Sequence, residues 1–533
     1  MTQPLLRIDS AALPAGEGEP PIIGRGKRRD LLRAAAFTWA ASLAPQGYAS
    51  EPKSRLTWAL HVSVASAWFD PAETTGITWY MLLYAMQDAL VKAMPGEPLA
   101  PSLAESWTVS PDGLSYEFLL RERATFHNGD PVTSDDVQFS FERYRGVLAH
   151  EMKSRVASLE TSGSRHVRFN LKQPWPDFLM LYTMVTGAGW VVPKKYLLAV
   201  GDEGFRKAPI GAGPYRFVSF RPGVELVLEA FDQYWRKTPA VKQLVFKVIP
   251  DATTRLAALK RGEVDIAYQI RSELAEELQR TPGLSLKSVA SGTQYLDFPD
   301  QWDPKSPWHD RRVRFAANLA IDRNGINQAV TLGRSRIAAN VVPDDLDFYW
   351  QPPTPPYDPA QAKQLLAAAG YPNGFDAGDY TCDNSYVIFA EAVVDQLNAV
   401  GIRARLRPLE RAAFTKAYFE KKLKNIVQVQ ILSFGNAATR LEAVAVKGGI
   451  AAYGSDPDID LLFQQQAVEM DRVRREAILH RSQQLIHERM TFAPILQPAF
   501  LSGLGPRVGE SSIGRIAEFP YTMPYEDLTL ANP

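Results

Sequence analysis

Apolar positions along this chain recur at two different periods, and segments of the two kinds alternate from one end to the other. Leu56-Thr57-Trp58-Ala59-Leu60 has the every-second-residue rhythm of a strand. Residues 76–91 carry Trp79, Leu82, Leu83, Met86 and Leu90 at helical spacing, which predicts an amphipathic helix. Residues 103–120 read as strand, Ser-Pro-Asp-Gly turn, strand, the turn resting on proline's fixed φ and glycine's tolerance of positive φ. Phe126-His127-Asn128-Gly129-Asp130-Pro131 is a second turn, after which Thr133 or Ser134 caps a helix carrying Asp135 and Asp136 in its first turn.

Further along, residues 224–230 and 245–249 predict strands, and Asp251 caps a helix over 252–261 that stops at Gly262. Helices follow over 311–329, 358–369 and 390–400, the last closed by Gly401 ahead of a strand over 402–409. Asp456-Pro457-Asp458 opens another helix, and 471–489 is a long charged one. The prolines at 352, 353, 355 and 356 form a rigid surface connector. No fixed repeat joins these segments, so a solenoid is not expected.

At 533 residues the chain has room for about three domains of ~150 residues. Lys+Arg and Asp+Glu both number 59, and that balance lacks the basic excess of a phosphate-neutralising nucleic-acid binder. The single cysteine, Cys382, cannot form an internal disulfide or a thiolate metal site. The N-terminal region reads as an export signal. Lys27-Arg28-Arg29-Asp30-Leu31-Leu32-Arg33 precedes a mostly apolar run over 34–44, and Gly47 and Ala49 stand at small-residue positions, placing cleavage after Ala49. The paired arginines and the moderate hydrophobicity resemble a twin-arginine signal. Removing residues 1–49 takes away six basic and four acidic side chains and leaves a net charge of −2. No later stretch has the roughly 20 apolar residues of a bilayer span.

Enzyme motifs break off before completion. His487-Glu488 starts like a zincin helix, but Thr491 stands where the second histidine belongs. Gly211-Ala212-Gly213 starts like a dinucleotide loop, but Pro214 and Tyr215 follow. The acid pairs Asp135/Asp136 and Asp344/Asp345 read as cap or loop features, and His127 as a turn residue.

Several motifs, in order, carry a family resemblance. They are Leu-Ala-Glu-Ser-Trp (103–107), Ser-Pro-Asp-Gly (110–113), Tyr-Glu-Phe (116–118) and Phe-His-Asn-Gly-Asp-Pro-Val-Thr-Ser-Asp-Asp-Val (126–137). Pro-Ile-Gly-Ala-Gly-Pro-Tyr (209–215), Gly-Glu-Val-Asp (262–265), Asp-Arg-Arg-Val-Arg (310–314), Ala-Ile-Asp-Arg (320–323) and Tyr-Asp-Pro (357–359) follow. The pattern resembles family 5 extracellular solute-binding proteins, the peptide- and nickel-type receptors of ABC importers, over nearly all of the mature chain. The resemblance implies an α/β, periplasmic-binding-protein-like fold of two lobes (type II, the large three-subdomain cluster) with a hinge between them. It divides the chain into a signal (1–49), a discontinuous first lobe (50–95, 207–290 and 501–533), an inserted subdomain (96–206) and a second lobe (291–500). It implies a periplasmic monomer without cofactor, which captures a small-molecule solute and hands it to the transmembrane subunits of an ABC permease. A secreted hydrolase of a small organic substrate is the alternative from another class.

Relatives that take peptides place an aspartate shortly after a Gly-Trp pair to meet the ligand's α-amino group. Here the matching stretch has Phe434 near the tryptophan position, Asn436 beyond it, and no acid between Ser433 and Arg440. An ammonium group sequestered there would lack an anionic partner, so free peptides are poor candidates and Arg440 would favour a carboxylate. Trp68, Tyr295 and Trp350 complete the expected ligand-binding set, as rings able to stack on a solute; core packing is the competing role for each. Peptide-like, opine-like and sugar-like solutes all remain open.

Overall fold

Three sheets organise the computed structural model, which describes residues 54–73, 80–146, 148–183, 187–290, 292–431, 435–516 and 522–531. The proposed export signal lies outside the described residues. The first sheet has seven strands in the order Ser285–Ala290, Ala499–Leu504, Ile266–Ile270, Arg55–Leu60, Gln243–Val248, Glu225–Ala230 and Tyr215–Arg221. Its centre is parallel: Arg55–Leu60 runs alongside both Gln243–Val248 and Ile266–Ile270. Leu56, Trp58, Leu60, Leu244 and Phe246 are fully buried in one core beneath it.

The second sheet has six strands in the order Arg336–Ile337, Phe492–Gln497, Thr293–Asp297, Ile426–Ile431, Phe375–Asp383 and Ile402–Leu409. Phe375–Asp383 is parallel to both Ile402–Leu409 and Ile426–Ile431. Leu296 and Tyr295, adjacent in one strand, belong to separate apolar clusters, so this sheet is covered on both faces. A four-stranded antiparallel sheet, Ala104–Val109, Ser115–Leu120, His166–Leu171 and Val156–Ser162, has its own core of Tyr116, Phe118, Phe169 and Phe178.

Two connections pass between the first two sheets, and they lie side by side. Ser285–Ala290 belongs to the first sheet and Thr293–Asp297 to the second, while Phe492–Gln497 and Ala499–Leu504 make the return crossing. The outgoing strands pair with the returning ones on each side, Val289 with Phe500 in the first sheet and Gln294 with Leu496 in the second. A narrow two-strand junction of this kind concentrates any relative rotation at a few backbone positions.

Two helices differ from the pattern expected of them. Of the segment expected as one helix over 76–91, residues 76–79 lie outside the described residues; the described part is helical over Tyr80–Met86, and all seven of those residues are buried rather than one face of them. Its end is set by tertiary contacts: the Met86 carbonyl accepts from the Gly213 N–H at 3.0 Å. Buried Asp88 beyond it accepts from Trp235 Nε1 at 2.7 Å and from the Tyr234 hydroxyl at 3.0 Å. That approach also explains Gly211-Ala212-Gly213, since a Cβ at position 211 would lie 2.0 Å from the Met86 carbonyl oxygen. The stretch expected as one helix over 311–329 is two, Arg311–Leu319 and Arg323–Thr331. Asp322 breaks it by capping the Gly325 N–H at 2.9 Å. Buried Arg323 then donates from both Nε and Nη2 to the Pro494 carbonyl.

Candidate functional site

The parallel strands of the two large sheets point their carboxyl ends at one another, the place where open α/β sheets receive ligands. A cavity of about 620 Å³ lies there, within the range of small-molecule sites. His61, Pro250 and Arg271 line it from just beyond the three central strands of the first sheet, with Arg255 from the helix that follows. Asp383, Tyr386, Arg411 and Gln430 line it from the matching ends of the second.

Each charged group is positioned by local chemistry. Asp251 caps the helix Ala252–Lys260 through the Thr254 N–H, which sets Arg255 on the first turn facing back toward the strands. Arg255 donates to the carbonyls of Ile249 and Pro250 at 2.7 Å and of Gln269 at 2.6 Å. Across the cavity Arg411 Nε meets Asp383 Oδ2 at 2.9 Å, and Asp383 Oδ1 holds the Ser385 N–H at 2.8 Å. Burial, reinforced by Arg255 and Arg411, lowers the His61 pKa to about 4, so the imidazole is neutral near pH 7.

Several buried polar atoms on this wall have no hydrogen-bond partner. They include His61 Nδ1, Arg255 Nε and both amide atoms of Gln430. Gln430 stands directly across from Gln294, whose two amide atoms are likewise unpartnered. Gln428, two residues along on the same face, accepts from the Tyr380 hydroxyl at 2.6 Å. Unmade hydrogen bonds of buried groups are costly, and they cluster where a ligand or water completes them.

The first and second lobes meet at another place, on the side of the four-stranded sheet. Asp177, just before the buried helix Phe178–Leu181, accepts from Asn436 Nδ2 at 2.6 Å and from Arg475 Nη2 at 2.5 Å. Asn436 also caps the helix Ala437–Ala445 through the Thr439 N–H. Arg475 donates through Nε to Gln466 at 3.0 Å and lies over the Phe348 ring. Nearby, Arg155 stacks on Trp175 and approaches Glu442 at 3.9 Å.

The candidates named from sequence are distributed differently. Phe434 lies outside the described residues, and none of the other five lines the cavity. Asn436 is in the clasp with Asp177, so the acid missing from its own stretch arrives from the four-stranded subdomain. Tyr295, 0% exposed, packs edge-on against Phe492, and Arg440, 4% exposed, is buried with it. Burial lowers the Arg440 pKa to about 10, against the fields of Tyr295, Asp345 and Tyr418. Trp350 sits edge-on to His487 and donates its backbone N–H to Gln483 at 3.0 Å. Trp68 packs against the core of the first sheet. His127 holds the Gly213 carbonyl at 3.0 Å and accepts from the Gly211 N–H, a turn role. Sequence reasoning missed the cavity-lining arginines and glutamines. Val427-Gln428-Val429-Gln430 offered a signal, because it places two amides on the interior face of a strand otherwise built from apolar residues.

Among the described residues no three His, Cys, Asp or Glu side chains gather to hold a metal ion. No described helix is long and apolar enough to cross a membrane.

Comparison with known proteins agrees with this architecture. Residues 98–423 match the model of bacterial extracellular solute-binding proteins, family 5 Middle. A probable di/tripeptide-binding protein 5 from Pseudomonas aeruginosa is 29% identical over 75% of this chain and 82% of its own. Heme-binding protein A of Haemophilus influenzae is 26% identical over 77% and 81%. The crystal structure of NikA from Brucella suis with Fe(III)-EDTA superposes with a TM-score of 0.78 at 24% identity, covering 90% of this chain and all of that one. With its two sheets, twin crossings and matched middle region, this chain belongs to the family 5 bacterial extracellular solute-binding proteins.

Proposed function

We propose that this protein is the exported, substrate-capturing component of an ABC importer, taking up a small organic solute between two lobes and delivering it to a membrane permease. The observation that carries this reading is the cavity between the carboxyl ends of two parallel strand sets joined, among the described residues, by two adjacent crossings. A solute touching both walls is bound more tightly when the lobes are closed, and closure extends only as far as that differential affinity drives it. The lobes are the first sheet with its four-stranded insert and the second sheet with its helices, and the hinge is the pair of crossings between Ala290 and Thr293 and at Pro498. The twin-arginine-like segment ending at Ala49 supports passage out of the cytosol before binding, and the receptor works as a monomer.

The relatives support a receptor of small solutes; the 433–440 stretch lacks an acid and Asp177, which reaches it, has both oxygens engaged by Asn436 and Arg475, which argues against unmodified peptides as the preferred cargo. No observation on the described residues favours a hydrolase. Thermal shift against a solute library tests the reading: stabilisation by a solute recovered chemically intact supports it. Release of a converted product, or a shift with no effect from solutes of any class, contradicts it.

A further inference from the structure

We propose that the solute is a small organic acid, ionised at neutral pH, with its anionic group held on the Arg255–Arg411 side of the cavity and its uncharged polar groups met by Gln294 and Gln430. The inference rests on the receptor reading above and narrows its ligand class.

Charge is the first argument. Three arginines, 255, 271 and 411, line the cavity against one carboxylate, Asp383. Asp383 is committed to Arg411 and to the Ser385 N–H. Glu273 stands 3.7 Å from Arg271, where both side chains are open to solvent and screened. Asp251 is engaged in its cap, accepting from both the Thr254 N–H and hydroxyl at 2.7 Å. That leaves Arg255, 2% exposed, with three backbone carbonyls and no carboxylate within ion-pair distance among the described residues. A desolvated guanidinium facing a cavity is stabilised by an anion placed there and destabilised by a second cation. His61 reports the same field, since the two arginines help hold it neutral.

Hydrogen bonding is the second, independent argument. Gln294 is 0% exposed, and its amide and that of Gln430 face each other across paired strands with all four polar atoms unpartnered. Gln430 lines the cavity with Gln294 buried beside it, and their NH2 groups and carbonyl oxygens suit an uncharged group carrying both donors and acceptors, such as an amide or a row of hydroxyls. A purely apolar acid would leave them unsatisfied, and an uncharged sugar would leave the arginines so. The two halves of the wall therefore specify the two halves of one molecule.

The experiment is equilibrium dialysis of the mature protein against a bacterial metabolite extract, followed by heat release and mass spectrometry of the retained solutes in both ion modes. Enrichment of organic acids supports the inference. Enrichment of neutral or cationic solutes overturns it while leaving the receptor reading intact; enrichment of nothing overturns the receptor reading itself. With the enriched acid in hand, Arg411→Gln should weaken binding at least tenfold and flatten its salt dependence, and Gln430→Leu should weaken it about tenfold with the salt dependence kept. Arg411→Gln binding as tightly as the parent would overturn the charge assignment, and circular dichroism of each variant establishes that it is folded.

Discussion

The two places where the lobes meet differ in how they treat buried polar groups. At the clasp both oxygens of Asp177 are taken, by Asn436 and by Arg475, and Arg475 is further held by Gln466 and Phe348, with Gln466 Nε2 the clasp atom left without a partner among those named. At the cavity, His61, Gln430 and Arg255 each keep an atom without a partner, as does Gln294 across the strand from Gln430. A satisfied seam fixes geometry, whereas an unsatisfied one marks chemistry still to be supplied from outside. On the proposed function, the clasp would close the lobes and the cavity would hold what they close upon.

The largest expected effect comes from breaking the clasp on one side. Asp177→Ala strands Arg475 in a buried setting, a loss of about 3–5 kcal/mol for the closed form. Opening the hinge returns the guanidinium to water, so the cost appears as a population shift. Small-angle scattering of the ligand-free variant should show a larger radius of gyration than the parent. The same treatment at the cavity should act in the opposite direction: Gln294→Leu with Gln430→Leu removes unsatisfied amides and should raise the ligand-free unfolding free energy by about 1–3 kcal/mol. Urea titration measures that gain, and a loss instead would mean the amides are partnered in solution.

pH separates the two regions with opposite signs. At the seam, burial, with Glu151 and Asp177 adding to it against Arg155, raises Glu442 from 4.5 to about 7. A carboxyl raised in the fold stabilises it when protonated, so this contribution is complete at acid pH and fades as pH rises toward 7. Because the side chain is 39% exposed, the effect should be ~1 kcal/mol or less. Glu442→Gln should flatten the stability profile between pH 5 and about 7. His61, lowered to about 4, behaves inversely: its contribution is present above 6.5 and lost as pH falls toward 4. His61→Phe should remove that acid-side loss, and thermal denaturation across the pH series would register it.

Much of the fold was legible in the chain because it follows local rules. Asp251 caps its helix where expected, the helices expected over 358–369 and 471–489 form behind caps at Asp358 and Asp471, and Gly401 ends the helix Val387–Val400 in a left-handed conformation. Legibility failed at Met86, where a tertiary contact ends the helix, and at Asp322, where a local cap starts a second helix inside a continuous periodic stretch. The site was harder to read, for a physical reason. Aromatic residues drew attention as possible stacking platforms, yet Tyr295 and Trp350 are absorbed into packing. The cavity wall is made of arginines and glutamines that look like ordinary surface residues until the strands bring 61, 255, 411 and 430 together across long sequence distances. Asn436 drew notice for the acid its neighbourhood lacks, and nothing local reveals that Asp177 supplies one from 259 residues away.

Hydrogen–deuterium exchange with and without a bound solute tests the central claim most directly. A solute gripped between the lobes should slow exchange together at 61–62 and 250–255 on one side and at 383–386, 411–415 and 430 on the other. Protection confined to one of the two walls, or appearing only away from both, would contradict it.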